Sequence, residues 1–560
     1  MKTKITSKQT SPLPPKGGTK RMRSTQNSPF GGLRGLMLAS ACMLFSCTGN
    51  YDGYNTDKSK AGAEALQYDN LGTGGFIQKM QADVVPTSDN GANEFQRAQN
   101  LVGDIYSGYL AGIESWNGCN NGTTYNLYFS DWTETAFKVA FRKVMPQWYG
   151  VKQQAETADP VAFSVAQIIK VMAMHRITDM YGPLPYLRFG TTNSLTTPYD
   201  TQEEIYKSFF EDLDAAIKTL AEFVAANPSA RPLGKFDLVY GGDMSKWLRL
   251  ANSLKLRLAM RIAYVEPALA KQYAEEAVTS GMLLSLNSHN AGVKTSLGVD
   301  IFNPLYVTTY TYDNCRMNAS IEMFQSGYHD PRQGKYFTEA NITGGGFHGV
   351  RHGIPNVNQT TLKPMSAPKV AALTSESAPV VWMAAAEVYF LRAEGAIRGW
   401  NMDGAAGSLY NQGIAASFEQ WGVAAAAPAY SADSASTPVA FDDKALRHGA
   451  QPTTAITIKW EDAATKEKQL ERIITQKWLA VYPDGQEAWS EFRRTGYPKI
   501  LPVVTNNSGG TIDSNIQIRR LVFPAPEYAN NAAEVAKAVQ MIGGKDTGGI
   551  RLWWDKKNGK

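Results

Sequence analysis

Apolar residues recur every three or four positions over long stretches of the chain, which is the period of an amphipathic helix. Ile205, Phe209, Leu213, Ile217, Leu220 and Val224 form one such stripe. It lies behind Asp200-Thr201-Gln202-Glu203, where Asp200 is placed to cap the first turn and Glu203 to answer it. Trp247, Leu250, Ala251, Leu254 and Leu258 predict a second helix, and Ala268 to Ser280 a third that stops at Gly281, because glycine enters the left-handed turn that ends helices at little cost. Val161, Val165, Ile168, Met172 and Ile177 predict an earlier one. The period returns late, over Trp382 to Trp400, Ala405 to Trp421, Glu471 to Tyr482 and Glu487 to Thr495. Short helices that arrive in pairs can bury their apolar faces only against neighbouring pairs, which is how tetratricopeptide-like arrays are built. A strict period of about 34 residues is not kept, so the repeats read as degenerate.

Three stretches break the helical pattern. Leu284 to Met383 is rich in Asn, Gly, Thr and Tyr and contains Gly344-Gly345-Gly346; it predicts long loops with scattered strands. A stretch of that length inside a compact domain is usually functional. Glu114 to Asp131 is a shorter loop-rich segment, and Ala424 to Thr454, rich in Ala, Ser and Pro, reads as a surface insertion. The expected fold class is mostly α: degenerate tetratricopeptide-like helical repeats with an irregular, loop-rich subdomain.

Composition fits that picture and excludes some partners. With 560 residues, 43% of them hydrophobic and 19% charged, the chain can bury a sizeable core and lies far from the composition of disordered proteins. The formal charge of +5 arises at the N-terminus: residues 1–46 hold eight of the 56 basic residues and no acidic one, leaving 48 basic against 51 acidic in the rest. A near-neutral chain without a basic block has no electrostatic reason to bind phosphate backbones, so nucleic acid is not an expected partner.

The basic leader runs into Leu36 to Phe45, ten residues without a charge. That is the layout of a secretory signal, and it falls short of the roughly 20 residues that span a bilayer. It ends in Leu44-Phe45-Ser46-Cys47, which resembles the bacterial lipobox, in which the Cys is acylated and becomes the mature N-terminus. Cys47 is the expected lipid anchor, with residues 1–46 as the signal peptide and 47–560 as the mature domain. No later window offers 18 continuous apolar residues, so the remainder is expected to be soluble and exported, attached to a membrane and not inserted in it.

Four patches in order along the chain resemble the starch-utilisation-system D family (SusD/RagB), in its divergent branch. They are Arg176 to Tyr186 (RITDMYGPLPY), Asp330-Pro331-Arg332 followed by Tyr336-Phe337, Ala386 to Glu394 (AEVYFLRAE), and Gln476 to Ala480 followed by Gly485 to Gly496 (GQEAWSEFRRTG) and Tyr497-Pro498. Arg519-Arg520 and Pro524 to Asn530 close the pattern. The resemblance implies a scaffold of about four tetratricopeptide-like helix pairs, at about residues 60–283 and 380–500, and a ligand-facing, loop-rich insertion at about 284–380. It also implies a cell-surface, outer-membrane lipoprotein that captures a nutrient, with a glycan the expected cargo, and acts as lid on a SusC-like TonB-dependent transporter. Asp179, Glu387, Glu394, Trp478, Arg493 and Arg494 are expected to hold the scaffold, since signatures shared across a family with varied ligands report the fold more than the site.

A glycan platform needs aromatic faces for stacking and Asn, Asp or Arg for hydrogen bonds. The early loop supplies Trp116, Asn117, Asn120 and Tyr125, and the central loop Tyr310, Tyr312, Asn314 and Arg316; in the resembled family the ligand surface is assembled from such an early and a central region. Trp116 is the foremost candidate. If the two loops converge, Cys119 and Cys315 come within reach of a disulfide. No catalytic residue, cofactor or metal is expected: His348 and His352 lack the intervening Glu of a zincin, and neither a phosphate loop nor a nucleophile elbow occurs. The rival readings are a peptide cargo with the same lid role, and a glycoside hydrolase built on two carboxylates.

Overall fold

The computed structural model describes residues 71–87, 91–114, 122–127, 130–191, 196–355, 357–370 and 378–557. Ten helices carry the frame: α1 (Leu71–Asp83), α2 (Met145–Ala155), α3 (Pro160–Tyr181), α4 (Gln202–Ala226), α5 (Met244–Arg261), α6 (Pro267–Thr279), α7 (Ala385–Ile397), α8 (Ala406–Gln420), α9 (Lys466–Ala480) and α10 (Gly485–Thr495). They pack pairwise, α1 on α2, α3 on α4, α5 on α6 and α7 on α8, with α4 also lying on α5 and α7 on α9. This is the mostly α, tetratricopeptide-like array that the apolar period predicts. Among the described residues the strands form two short antiparallel sheets, in which β1 (Leu110–Gly112) pairs with β3 (Cys315–Met317) and β2 (Ala291–Val293) with β4 (Val380–Met383).

Local chemistry explains where the helices start and stop. The cap of α4 falls one residue later than expected: the Thr201 side chain accepts from the Glu204 backbone N–H at 3.2 Å, and the Glu204 carboxylate accepts from the Thr201 N–H at 2.8 Å. Asp200 is otherwise engaged, accepting from the backbone N–H groups of Tyr186 and Leu187 at 3.0 and 2.6 Å. Asp243 and Thr465 cap α5 and α9 in the same way, each accepting from backbone N–H groups of the first turn. Gly496, at φ +76°, turns the chain out of α10. At the other end of α10 the backbone of Gly103 passes so close that a Cβ there would sit 2.7 Å from the Gln486 nitrogen; only glycine permits that crossing.

The family-like motif residues meet in one buried ion cluster. Arg257 and Arg261 of α5, Lys477 of α9 and Arg494 of α10 face Asp179 of α3, Glu387 and Glu394 of α7, and Glu487 and Glu491 of α10. Arg257 pairs with Glu387 at 2.6 Å, Arg261 with Glu487 and Glu491 at 2.5 Å each, Lys477 with Glu487 and Glu491 at 3.1 Å each, and Arg494 with Glu394 at 2.6 Å. Asp179 accepts from the Tyr206 hydroxyl at 2.6 Å and Trp554 Nε1 at 2.8 Å, and meets Arg261 at 3.2 Å. Burial by itself pushes the Glu487 carboxyl up, but Arg261, Lys477 and Arg257 together hold it down at about 2. Arg493 donates to the carbonyls of Asp179 and Arg519, and the Trp478 indole N–H donates to the Ser107 carbonyl at 2.8 Å. Arg332 and Asp330, the mid-chain motif, pair at 2.6 Å with both side chains fully buried. These residues tie helices together, the scaffold role that their place in the signature implies.

The stretch 284–383 keeps its loops and scattered strands but also contains a helix the sequence did not predict, Ala319–Gly327, capped by Asn318 and buried along nearly its whole length. The expected surface insertion 424–454 is partly built into the core. Its short helix Ala427–Ser431 carries the buried Tyr430, whose hydroxyl donates to Gln476 Oε1 at 3.2 Å. No helix among the described residues is long and apolar enough to cross a membrane.

Candidate ligand platform

The pairing of β1 with β3 is what positions the candidate surface. Gly112 lies opposite Cys315, Ala111 opposite Arg316, and one residue further the Ile113 N–H donates to the Asn314 carbonyl at 3.0 Å. The early segment therefore leaves its strand at Glu114 directly beside the turn that ends the central one. Trp116, Asn117, Asn120 and Cys119, together with Cys47, lie outside the described residues.

The central segment carries aromatics on and just before a capped helical turn. Asn303 accepts from the Leu305 N–H at 3.1 Å, Pro304 opens the turn, and the helix continues through a wider turn over Val307–Thr311. Positions four apart share one face of such a helix, which aligns Tyr306 and Tyr310, while Phe302 lies in the irregular chain just before the Asn303 cap. Phe302 is 45% and Tyr310 43% exposed, and the rings of Tyr306 and Tyr310 lie 4.9 Å apart at 48°. The Tyr310 hydroxyl donates to the Pro368 carbonyl at 2.7 Å, which fixes its ring while leaving much of it to solvent. Tyr312 follows, half-buried, at the end of the turn. Phe302 was not among the residues singled out from the sequence, and lying before the helix it has no periodic signal that could have found it.

Three candidates are placed differently from the expectation that they touch ligand. Tyr125 is 1% exposed, held at φ +64° with its hydroxyl donating to Gln517 Oε1 at 3.4 Å; it anchors the early loop from beneath. Arg316 is buried because its guanidinium braces the turn, donating to the carbonyls of Lys363 and Cys315 at 2.9 and 2.7 Å and pairing with Asp313 at 2.6 Å. Burial pushes Asp313 up, but hydrogen bonds from Lys363 and Arg316 outweigh it and hold the carboxyl below the usual range. Asn314 is buried as well, its backbone carbonyl serving the β1 end and its side-chain Oδ1 without a partner. Cys315 is a free, fully buried thiol 3.8 Å from Thr309 Oγ1. None of these side chains offers a surface to a large ligand.

The other chemistry weighed from the sequence is structural. His352 is buried beside Asn318 Nδ2 at 3.4 Å, and burial holds its ring down at about 3. His348 lies 3.8 Å from Glu322. Among the described residues no three His, Cys, Asp or Glu side chains are grouped to hold a metal ion.

No curated protein matches the chain, but solved structures do. A chitin-binding SusD homologue from Flavobacterium johnsoniae superposes with a TM-score of 0.82 at 38% identity, over 87% of this chain and 99% of that one. SusD homologues from Bacteroides uniformis and Bacteroides thetaiotaomicron superpose with TM-scores of 0.80 and 0.79 at 40% and 34% identity, each over 87% of this chain and 99% of the other. The family model for SusD-like proteins, described as SusD and RagB outer membrane lipoproteins, matches residues 53–555, and with the helical frame, its buried signature residues and these neighbours the chain belongs to the SusD-like family.

Proposed function

We propose that the protein is a lipid-anchored binding protein of the outer-membrane surface that captures a glycan and passes it to a SusC-like TonB-dependent transporter. The observation that carries this reading is the exposed Tyr310 ring, packed against half-buried Tyr306 on one helical turn with exposed Phe302 just before its cap, in a member of a family described as outer membrane lipoproteins. Sugar rings present apolar faces that stack on such aromatics, and their hydroxyls are served by amides and hydroxyls nearby. Tyr312 and the early-loop residues Trp116, Asn117 and Asn120 complete the surface in this reading. The chitin-binding description of the Flavobacterium johnsoniae homologue supports a carbohydrate cargo. The task is binding without chemistry. Acylation at Cys47 would hold the domain on the membrane, each buried methylene adding about 0.8 kcal/mol. Closure over the transporter would be driven by a ligand that contacts both partners, since a ligand shifts only the equilibrium whose two states it binds unequally.

The test is calorimetry of the full-length, detergent-extracted protein against panels of oligosaccharides and peptides, with Tyr310→Ala and Trp116→Ala beside it. Removing one stacking ring, worth roughly 1–2 kcal/mol including its buried area, should weaken glycan binding about tenfold in each variant, and Tyr310→Ala, which also gives up the hydroxyl bond to Pro368, should melt somewhat lower while keeping its fold. Binding of peptides and of no glycan would replace the cargo. Release of shortened glycans by the pure protein would replace the binding reading with a hydrolase.

A further inference from the structure

A cleft of about 200 Å³ opens at the C-terminal end of α10. Its basic lining comes from three separate parts of the chain: Arg493, Arg494 and Lys499, then Arg519, then Arg551 and Lys557, with Asp555 the acidic residue among them. No run of lysine and arginine marks it in the sequence, because the fold assembles it. Whole small ligands occupy roughly 300–1,000 Å³, so the space suits one charged group and a short fragment bearing it, and not a nucleic-acid backbone.

Charge in this cleft does not balance. Arg494 is matched by Glu394 and Glu491 at 2.6 and 2.7 Å, and Lys557 pairs with Glu467. Arg519 and Arg551 share Asp555, at 2.5 and 2.7 Å, so one of those two charges is left over. Arg493, buried, pairs with no carboxylate among the described residues; it donates to the carbonyls of Asp179 and Arg519 at 2.5 and 2.8 Å and lies 3.6 Å from the centre of the Trp489 ring. Lys499 is exposed and likewise forms no ion pair among the described residues. Its ammonium lies 4.6 Å from the centre of the Tyr497 ring, and that of Lys557 lies 4.4 Å from the same ring. The carbonyls that end α10 offset about half a unit charge, and that of Thr495 already accepts from Lys557 at 2.7 Å. A surplus on the order of two to three positive charges remains. Its effect shows in the ionisations: burial, with Arg519 and Arg261 adding to it, pushes the Arg493 guanidinium down to about 9, and burial, with Lys499 and Arg494 adding, pushes the Lys557 ammonium down against the pull of Glu467.

We propose that this cleft binds a phosphate group, free or as the terminal monoester of a larger molecule. The inference stands apart from the glycan reading. A phosphate monoester carries roughly 1.5 to 2 negative charges at neutral pH, which answers the surplus, whereas a carboxylate brings one. Its hydrogen bonds come from the lining side chains that reach solvent, exposed Lys499 and half-buried Arg551. Arg551 Nη1 holds Asp555 at 2.7 Å, and the rest of its guanidinium has no partner among the described residues. Buried Arg493 and Arg519 act through their field, since a concave wall of one sign of charge and low dielectric constant concentrates that field on the space it encloses.

Calorimetry of the full-length, detergent-extracted protein at low salt tests this, with inorganic phosphate, glycerol 3-phosphate, glucose 6-phosphate and acetate as probes. Phosphate should bind saturably and about tenfold more tightly than acetate. Lys499→Gln and Arg551→Gln should each weaken it about tenfold, the loss of one hydrogen bond to a charged group. Lys207→Gln, which changes an exposed lysine of α4 outside the cleft, should leave it unchanged. Lys499 is exposed and unpaired, so its variant keeps the fold, which its melting temperature verifies. Tighter binding of glycerol 3-phosphate assigns a lipid headgroup as the source, tighter binding of glucose 6-phosphate a phosphorylated sugar, and no gain from either ester the free ion. Absence of saturable phosphate binding by the unaltered protein, acetate bound as tightly as phosphate, or undiminished binding in Lys499→Gln and Arg551→Gln overturns the site.

Discussion

Glu322 shows how a single side chain ties this fold to pH. Its Oε2 accepts from the Gly349 N–H at 2.5 Å. Burial pushes its carboxyl up to about 8 against that hydrogen bond, with Asp442 and Asp443 adding to the rise. Asp104, buried among Asn100 and Gln99, is likewise pushed up to about 8 by burial. A carboxyl whose folded value lies above its unfolded one, near 4.3 for Glu, holds its proton more tightly in the folded state. The stability it contributes is full below that unfolded value and is lost as pH rises through about 8. Glu322→Gln mimics the neutral acid, so the variant should overtake the parent between pH 5 and 8 by an amount on the order of a few kcal/mol. Urea denaturation at several pH values checks this, and parallel stability curves would refute it. The same scale marks the limit of reading sites from sequence. Tyr125, Asn314 and Arg316 have chemistry suited to a glycan, yet each is buried by a partner distant in the chain or by the backbone it braces. Exposure is a tertiary property that residue type alone does not carry, whereas the four-residue spacing of Tyr306 and Tyr310 was legible.

At the scale of elements, α4 was legible from its stripe, whereas α1 and α2 were not. α4 alternates buried Ile205, Phe209 and Leu213 with exposed positions, and its stripe is plain. α1 begins Leu-Gly-Thr-Gly-Gly and α2 has a central Gly150; glycine is a poor helix former, so packing and not local preference decides there. The α4 cap was off by one because Asp200 and Thr201 are both good caps, and only the fold shows that Asp200 is taken by the loop before it. Thr201→Ala should therefore cost about 1 kcal/mol, whereas Asp200→Ala should loosen the 186–187 turn, differences that thermal melts of the two variants resolve. The ion cluster makes a stronger prediction. Arg261→Met leaves Asp179, Glu487 and Glu491 short of a buried cation and should destabilise by roughly 3–5 kcal/mol. In the unaltered protein Glu487, held at about 2, contributes stability that is full above its unfolded value and is lost as pH falls from there toward 2. Acid denaturation followed by circular dichroism should begin in that window and move to higher pH in Arg261→Met.

For the whole molecule, the order of the four motif patches carried both the family and the array, because those residues form the contacts that any member of the fold must make. The cargo was less legible, since residue type does not tell which side chains of the early and central segments reach the surface; the two segments meet through six residues of β1 and β3. Attachment through Cys47, as proposed above, concerns the whole chain as well. Cys47→Ser should release the protein from the outer membrane without altering its fold, which fractionation of cells and fatty-acid labelling would show; retention of the variant in the membrane would remove Cys47 as the anchor. High salt should leave the frame's stability nearly unchanged, because screening acts on solvated charges and the cluster is walled off from water.

The clip between β1 and β3 also has a consequence for engineering. Gly112 and Cys315 fix where the early segment departs, and the buried Thr123, Thr124 and Tyr125 fix where it returns. If the proposed ligand surface is right, replacing the sequence between those two pinned ends with that of a homologue of different diet should change the preferred cargo and leave the melting temperature unaltered.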